Sequence, residues 1–311
     1  MPIAQARCYL LLAAVLWSSS SFFMRMLREP TGWLLDEPQL SPLQIAVYRA
    51  LFAGLILLPI VPWREVHFRP LMLGMVASFA LMSGFYLSAL GLGPAANAIL
   101  LQNTAPVWVY LIGVYGLGHD PDRRTWRAII LGLIGALVLI LGNSLSDLGS
   151  ADNPTDPRIL ALGLGSGFAY AVVILFLRHL RMESTAWLTL LNLLGSGLIL
   201  AACVCGHIIM QDGFRAAWQW WQIPTARQLG FIAVFGLFQM AAPYWLFTRG
   251  LRVVGPQEAG IITLLEPILN PIWAYLIAPE KEIPTVWTLV GGFILLIALA
   301  WRYYPATTDD D

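Results

Sequence analysis

The chain has 311 residues, 58% of them hydrophobic and only 12% charged, with a formal net charge of zero. A water-soluble domain carries about twice that charged fraction, so a soluble fold is excluded. The neutral balance also advertises no nucleic-acid-binding surface.

Apolar stretches of about 20 residues recur along the whole length, which marks a polytopic helical membrane protein. Ten segments are predicted, at 7–26, 42–61, 69–90, 94–117, 124–143, 158–179, 185–207, 227–249, 256–278 and 285–304. The first has one arginine before its apolar run and no small-residue cleavage site, so it is expected to be a membrane helix rather than a removable signal. It contains "WSSSSFF" at 17–23, whose serines let helix backbones approach closely.

Segment two carries Arg49, which either snorkels to the outer interface or pairs with an acid or a substrate carboxylate. Segment three offers Ser83 and Tyr86. In segment four, Asn97, Thr104, Trp108 and Tyr115 follow helical spacing, with Gln102 and Asn103 beside them and Pro106 as a predicted kink. Polar groups at membrane depth point into the bundle, where they line a pathway or tie helices together. The loop after segment seven holds Trp218, Trp220 and Trp221, rings suited to headgroup level. Segment eight has Gln239, Pro243, Tyr244 and Trp245, with Pro243 placed mid-helix as a hinge.

Segment nine reads "TLLEPILNPIW" at 263–273. Glu266 is about ten residues in, roughly 15 Å deep at ~1.5 Å per residue, near the bilayer centre. An acid there must face a wet cavity, find a cation or stay protonated. Thr263, Glu266, Asn270 and Trp273 are spaced three, four and three apart, so they share one helix face. Pro267 and Pro271 remove two backbone donors, and the carbonyls they free need a solvated cavity or a ligand. That face is either the wall of a substrate path or a packing surface holding a protonated glutamate.

Other chemistries find little support. Cys8, Cys203 and Cys205 have no metal-ligand spacing, and the four histidines all fall at segment ends. No phosphate-binding loop, Gly-x-Ser-x-Gly or paired catalytic acid is present, so no metal, cofactor or catalytic residue is expected. Lys281, the one lysine, lies in a loop, which rules out a retinal Schiff base within a helix.

Short echoes recur in the same order in both halves: "FFMRML" at 22–27 with "LFLRHL" at 175–180, "AGLILL" at 53–58 with "SGLILA" at 196–201, and "PVWVYLI" at 106–112 with "PIWAYLI" at 271–277. Gly93-Pro94 and Gly255-Pro256 open segments four and nine. Trp126 and Trp287 fix an offset of 161 residues, whereas the Pro-x-Trp match fixes 165. That difference leaves the register open by about one helical turn. A five-helix unit repeated in tandem enters the membrane from opposite sides. The copies are then related by a pseudo-two-fold axis in the membrane plane, an architecture with its site at the seam and alternating access. Of the 18 basic residues, eleven fall on the N-terminal side of the membrane, six on the other side, and Arg49 within a segment. The positive-inside rule therefore places both termini in the cytoplasm.

With these residues assembled, the chain resembles the ten-helix, EamA-type branch of the drug/metabolite transporter superfamily. The resemblance rests on Trp17-Ser18, Arg49, the two Gly-Pro openings, "LLEP" at 264–267 and "PEKEIP" at 279–284, and it covers nearly the whole chain. It implies a secondary transporter of small metabolites, amino acids among them and often exported, with a central cavity lined by the first four helices of each half.

The expectation is an all-α polytopic membrane protein of ten transmembrane helices in two inverted five-helix repeats, residues 1–150 and 151–311. It would be a carrier in the inner (plasma) membrane rather than an enzyme, moving a small organic solute such as an amino acid, driven by the substrate gradient or by protons. Glu266, Asn270, Trp273, Thr263, Asn103, Thr104, Trp108, Tyr86, Gln239 and Tyr244 are the candidate substrate-binding residues, and Glu266, Arg49 and Pro243 the candidates for coupling or gating. The alternative is an intramembrane enzyme acting on a lipid or isoprenoid. It would need several acids or histidines at one depth, whereas Glu266 stands alone.

Overall fold

The computed structural model describes residues 1–93, 95–116, 157–180, 183–251, 265–280 and 285–303, with scattered positions between 118 and 142 and at 253, 254 and 262. All regular structure among these residues is helical. The helices are α1 (Ile3–Ser18), α2 (Ser20–Met26), α3 (Pro42–Leu57), α4 (Leu71–Leu92), α5 (Ala95–Gln102), α6 (Ala105–Leu111), α7 (Pro157–His179), α8 (Thr185–Asp212), α9 (Phe214–Trp220), α10 (Ala226–Gly236), α11 (Ala242–Leu251), α12 (Leu265–Ile277) and α13 (Val286–Tyr303). Among the described residues, seven helical stretches are long and apolar enough to cross a membrane, and Val286–Ala298 adds a shorter apolar one.

Local chemistry sets the helix starts and the breaks. Ser41 and Gln44 form a capping box at the start of α3, and Thr225 and Gln228 form another at the start of α10. Between α1 and α2, the hydroxyls of Ser18 and Ser19 bond back to the carbonyls of Val15 and Leu16 at 2.7 and 2.6 Å, and the helix breaks at Ser19. Between α5 and α6, Asn103 and Thr104 bond back to the carbonyls of Ile99 and Leu101. Pro106 lacks the N–H that the Gln102 carbonyl would otherwise accept from. Pro243 likewise has no N–H to donate to the preceding turn, and Leu237–Ala241 is a π-helical turn joining α10 to α11.

The packing exchanges elements between the two halves. α4 packs on α7, and α1 packs on α11. α5 and α6 pack on α7, and α1 and α2 on α12. α4 packs on α8, and α3 on α10. The sequence echoes equate α1/α2 with α7, α3 with α8 and α5/α6 with α12, and chain order then pairs α4 with α10/α11. Each of these contacts then has its counterpart under that exchange, while α3–α8 and α5–α12 map onto themselves.

The α3–α8 contact shows the symmetry residue by residue. A Cβ on Gly54 would lie 2.5 Å from the Leu194 side chain, and one on Gly197 would lie 3.0 Å from Leu51. Gly54 corresponds to Gly197, and Leu51 to Leu194, at a common offset of 143 residues. Equivalent residues thus meet reciprocally, as at an isologous interface. Residue number rises along α3 as it falls along α8, so the two copies cross antiparallel.

Candidate functional site

The break between α1 and α2 opens onto a polar seam where α1, α2, α4 and α12 meet. Asn270, fully buried on α12, is its hub. Its Oδ1 accepts from the Ser21 N–H at 3.1 Å, and its backbone carbonyl accepts from the Ser21 hydroxyl at 2.5 Å. Its Nδ2 donates to Ser20 Oγ at 2.8 Å and to Tyr86 OH at 3.2 Å, and those two hydroxyls lie 2.7 Å apart. One turn further along α12, Trp273 Nε1 donates to Ser18 Oγ at 2.9 Å. The sequence reading treated the serines as a close-packing surface. The structure shows them as hydrogen-bond partners of a helix about 250 residues away, a pairing no local pattern displays.

A second polar cluster surrounds Arg49, which is 1% exposed. Its Nη1 donates to Gln239 Oε1 at 2.6 Å and its Nη2 to Ser83 Oγ at 3.0 Å. The guanidinium carbon lies 5.0 Å from the centre of the Phe235 ring, and Nε is buried without a hydrogen-bond partner. Arg49 thus ties α3 to α4 and to the π-helical turn. It does not snorkel, and no ion pair joins it to Glu266 among the described residues. The turn presents Gln239 toward it, and a Cβ on neighbouring Gly236 would lie 2.7 Å from the Arg49 carbonyl oxygen. Glycine permits that approach.

Glu266 sits half-buried in the first turn of α12. It lies one turn before Asn270, whose Nδ2 bonds the Tyr86 hydroxyl, and Arg49 is bonded to Ser83 one turn from Tyr86 on α4. The edge of Tyr244 meets Trp17 with centroids 5.3 Å apart, and Tyr244 also packs against Phe79. The structure therefore gathers an acid, a base, two phenols and an indole from five stretches of chain. Trp17 was not among the predicted site residues, and only its ring contact brings it in.

Asn103, Thr104 and Trp108 form a separate group. Thr104 Oγ1 receives the Trp108 indole N–H at 3.3 Å, and the Trp108 ring meets Phe168 edge-on at 5.5 Å. A Cβ on Gly167 would lie 2.6 Å from Thr104 Oγ1. Nearby, Gln102 donates to Ser166, which donates to the Met82 carbonyl. These contacts join α5 and α6 to α7. Asn97, on the same predicted face, is bonded by Thr288 of α13, whereas Tyr115 in the π-helical turn after α6 is 76% exposed. Pro243 is buried at the start of α11. Thr263 and Gly255-Pro256 lie outside the described residues, as does Pro94 of the other Gly-Pro opening. No group of metal ligands is present among the described residues.

An all-helical membrane protein whose two halves interleave, with charged and phenolic side chains gathered where they meet, is a transporter by class. The chain belongs to the EamA-like transporter family, whose profile matches it twice, over residues 5–141 and 157–304. It is similar to an uncharacterized transporter of Archaeoglobus fulgidus, with 28% identity covering 94% of this chain and 95% of that protein. It is also similar to the S-adenosylmethionine uptake transporter of Rickettsia prowazekii, 22% identical over 86% of this chain and 84% of the relative. The pseudopaline exporter CntI of Pseudomonas aeruginosa is 22% identical over 72% of this chain and 71% of its own length. A solved crystal structure shares the fold, with a TM-score of 0.60 at 15% identity, covering 97% of this chain and 98% of the other.

Proposed function

We propose that the protein is a secondary carrier of a small organic metabolite bearing an amino group, such as an amino acid. It works by alternating access between two inverted five-helix repeats, residues 1–150 and 151–311. The contacts that join Tyr86 to Asn270 one turn from Glu266, Arg49 to Ser83 one turn from Tyr86, and Tyr244 to Trp17 and Phe79 carry this reading. Glu266 accepts the substrate amine or exchanges a proton for it. Tyr86 and Tyr244 supply hydroxyls and flat rings to the bound solute. Arg49, locked to Gln239 and Ser83, holds the π-helical turn ahead of Pro243 in register and balances the acid's charge. Trp273 and Asn270 shape the wall, and the Asn103, Thr104 and Trp108 group borders the path from the α7 side. The protein sits in the plasma membrane with both termini in the cytoplasm, as the arginine distribution directs.

Two relatives bear the names of an uptake transporter for S-adenosylmethionine and an exporter of pseudopaline. Their differing directions leave the sense of transport to experiment. Purified protein is first screened by thermal shift against the proteinogenic amino acids and S-adenosylmethionine, because a ligand that binds only the folded state raises its stability by mass action. Hits then enter counterflow measurements in proteoliposomes. One chemical class is expected to stabilise the protein and to exchange, and Glu266→Gln is expected to abolish that exchange. Undiminished counterflow by Glu266→Gln would remove the acid from the mechanism. Failure of every amine-bearing solute to bind or exchange would overturn the substrate class.

A further inference from the structure

The offset of 143 residues that pairs Leu51 with Leu194 and Gly54 with Gly197 also pairs Arg49 with Asn192. Counted from Pro42 and Thr185, Arg49 lies about two turns into α3 and Asn192 about two turns into α8. The two helices run antiparallel, so these equivalent residues sit on opposite sides of the crossing. Both are buried, Arg49 at 1% exposure and Asn192 at 3%.

The protein satisfies the two positions differently. The Arg49 fork holds Gln239 and Ser83. Asn192 Oδ1 is shielded and accepts no hydrogen bond among the described residues. Its surroundings offer no donor. Leu188, one turn before it on the same face, packs with Met72, Met75 and Val76 of α4, and a Cβ on Gly195, one turn after it, would strike Val76. The hydroxyls along these stretches, Ser196 and Ser78, already donate to the carbonyls of Leu193 and Gly74. A resident water needs two to four polar partners, and methionine and valine side chains supply none. Leucine would fill nearly the same space without the cost of an unmet acceptor, so the amide is explained by a donor that arrives from outside the protein.

We propose that Asn192 is a substrate-binding residue whose Oδ1 accepts an N–H or O–H of the solute other than its amine, reached between α8 and α4 when the side of the seam opposite Arg49 opens. The leucines that flank it, Leu190 and Leu193, belong to the apolar cluster that holds Phe79 and Met240 and against which Tyr244 packs, so a solute bound at Tyr244 lies next to this stretch of α8. The consequence is selectivity. A site with a buried acceptor favours a solute that brings the matching donor and rejects the analogue that lacks it. The carried class then narrows to amines with a second donor, such as a hydroxyl, an amide or a guanidinium, and excludes those with a plain alkyl side chain. This inference rests on the proposed function and sharpens its substrate class.

The test reads thermal unfolding of the full-length protein in detergent, first without and then with solute. Without solute, Asn192→Leu is expected to raise the unfolding midpoint, because it removes an acceptor that nothing satisfies. A midpoint at or below that of wild type means that the amide has a partner within the protein, and overturns the inference. The proteinogenic amino acids are then titrated singly, and apparent affinities are taken from the rise in midpoint with concentration. Those that stabilise the wild type are expected to carry a side-chain N–H or O–H, and to bind Asn192→Leu about three- to tenfold more weakly, the effect of one hydrogen bond. Equal affinity for wild type and variant, or a wild type stabilised only by amino acids with alkyl side chains, overturns this inference and leaves the proposed function in place. A wild type that no amine-bearing solute stabilises defeats the proposed function and this inference with it.

Discussion

Arg49 keeps a charge in the membrane interior with neutral partners at both ends of its guanidinium fork. A lysine has the charge but not the planar pair of donors, so it cannot hold Gln239 and Ser83 together. Arg49→Lys is therefore expected to lower folding stability by about 1–3 kcal/mol, the range for leaving a buried polar group unmet. The measurement is thermal unfolding in detergent, followed by tryptophan fluorescence. Asn270→Ala removes three side-chain hydrogen bonds at once. Interhelical hydrogen bonds in membranes average about 0.6 kcal/mol each, so about 2 kcal/mol of destabilisation is expected by the same measurement. At this scale the sequence was legible where a polar residue interrupts an apolar run, as Glu266, Asn270 and Arg49 do. It was not legible where the meaning of a residue lies in its partner. Ser20 and Ser21 read as small residues until Asn270 is seen beside them. Gln239 reads as one more polar side chain until a π-helical turn brings it to Arg49.

Helices α1/α2, α5/α6 and α10/α11 are each interrupted part-way, and each break lies next to a polar cluster. An unbroken helix would point its backbone polar groups along its own axis and leave side chains alone to shape the seam. Pro106 and Pro243 could be read as kinks in the sequence, because the missing donor is a property of proline itself. The break at Ser19 could not, because it depends on hydroxyls turning back onto their own carbonyls. Pro243→Ala restores the backbone N–H that proline lacks just after the π-helical turn. It is expected to raise stability by about 1 kcal/mol, the worth of one hydrogen bond, and to slow counterflow by stiffening the turn that carries Gln239. Faster exchange by that variant would show that the π-helical turn has no part in the moving step. The opposite perturbation is Gly236→Ala, whose Cβ would meet the Arg49 carbonyl oxygen at 2.7 Å and the Ala53 nitrogen at 3.0 Å. Both are backbone atoms of α3 and cannot rotate away. A loss of about 1–3 kcal/mol is expected from the forced separation of α3 and α10, read as a lower unfolding midpoint.

For the whole molecule, the question is which way the second repeat faces. The echo of "AGLILL" in "SGLILA" places Gly54 and Gly197 at equivalent positions, yet an echo by itself carries no direction in space. Direction comes from the reciprocal contacts of Gly54 with Leu194 and Gly197 with Leu51, which require the equivalent helices to cross antiparallel. The polar ends of the third helix in each copy extend the same relation. Arg69, just before α4, pairs with Glu183 at 2.7 Å in the connection after α7. Arg227, at the start of α10, donates at 3.1 Å to the Trp33 carbonyl in the connection after α2. In each copy an arginine at the start of the third helix thus reaches into the connection after the first helix of the other half, and an inverted arrangement is expected to put the two on opposite faces of the membrane. Both arginines are exposed, so each can be replaced singly by cysteine in a background where Cys8, Cys203 and Cys205 are serine. In intact cells a membrane-impermeant maleimide is expected to label Arg227→Cys at once and Arg69→Cys only after permeabilisation. Labelling of both from one side would mean that the copies face the same way, and the pseudo-two-fold axis drawn through α3 and α8 would then have to be abandoned.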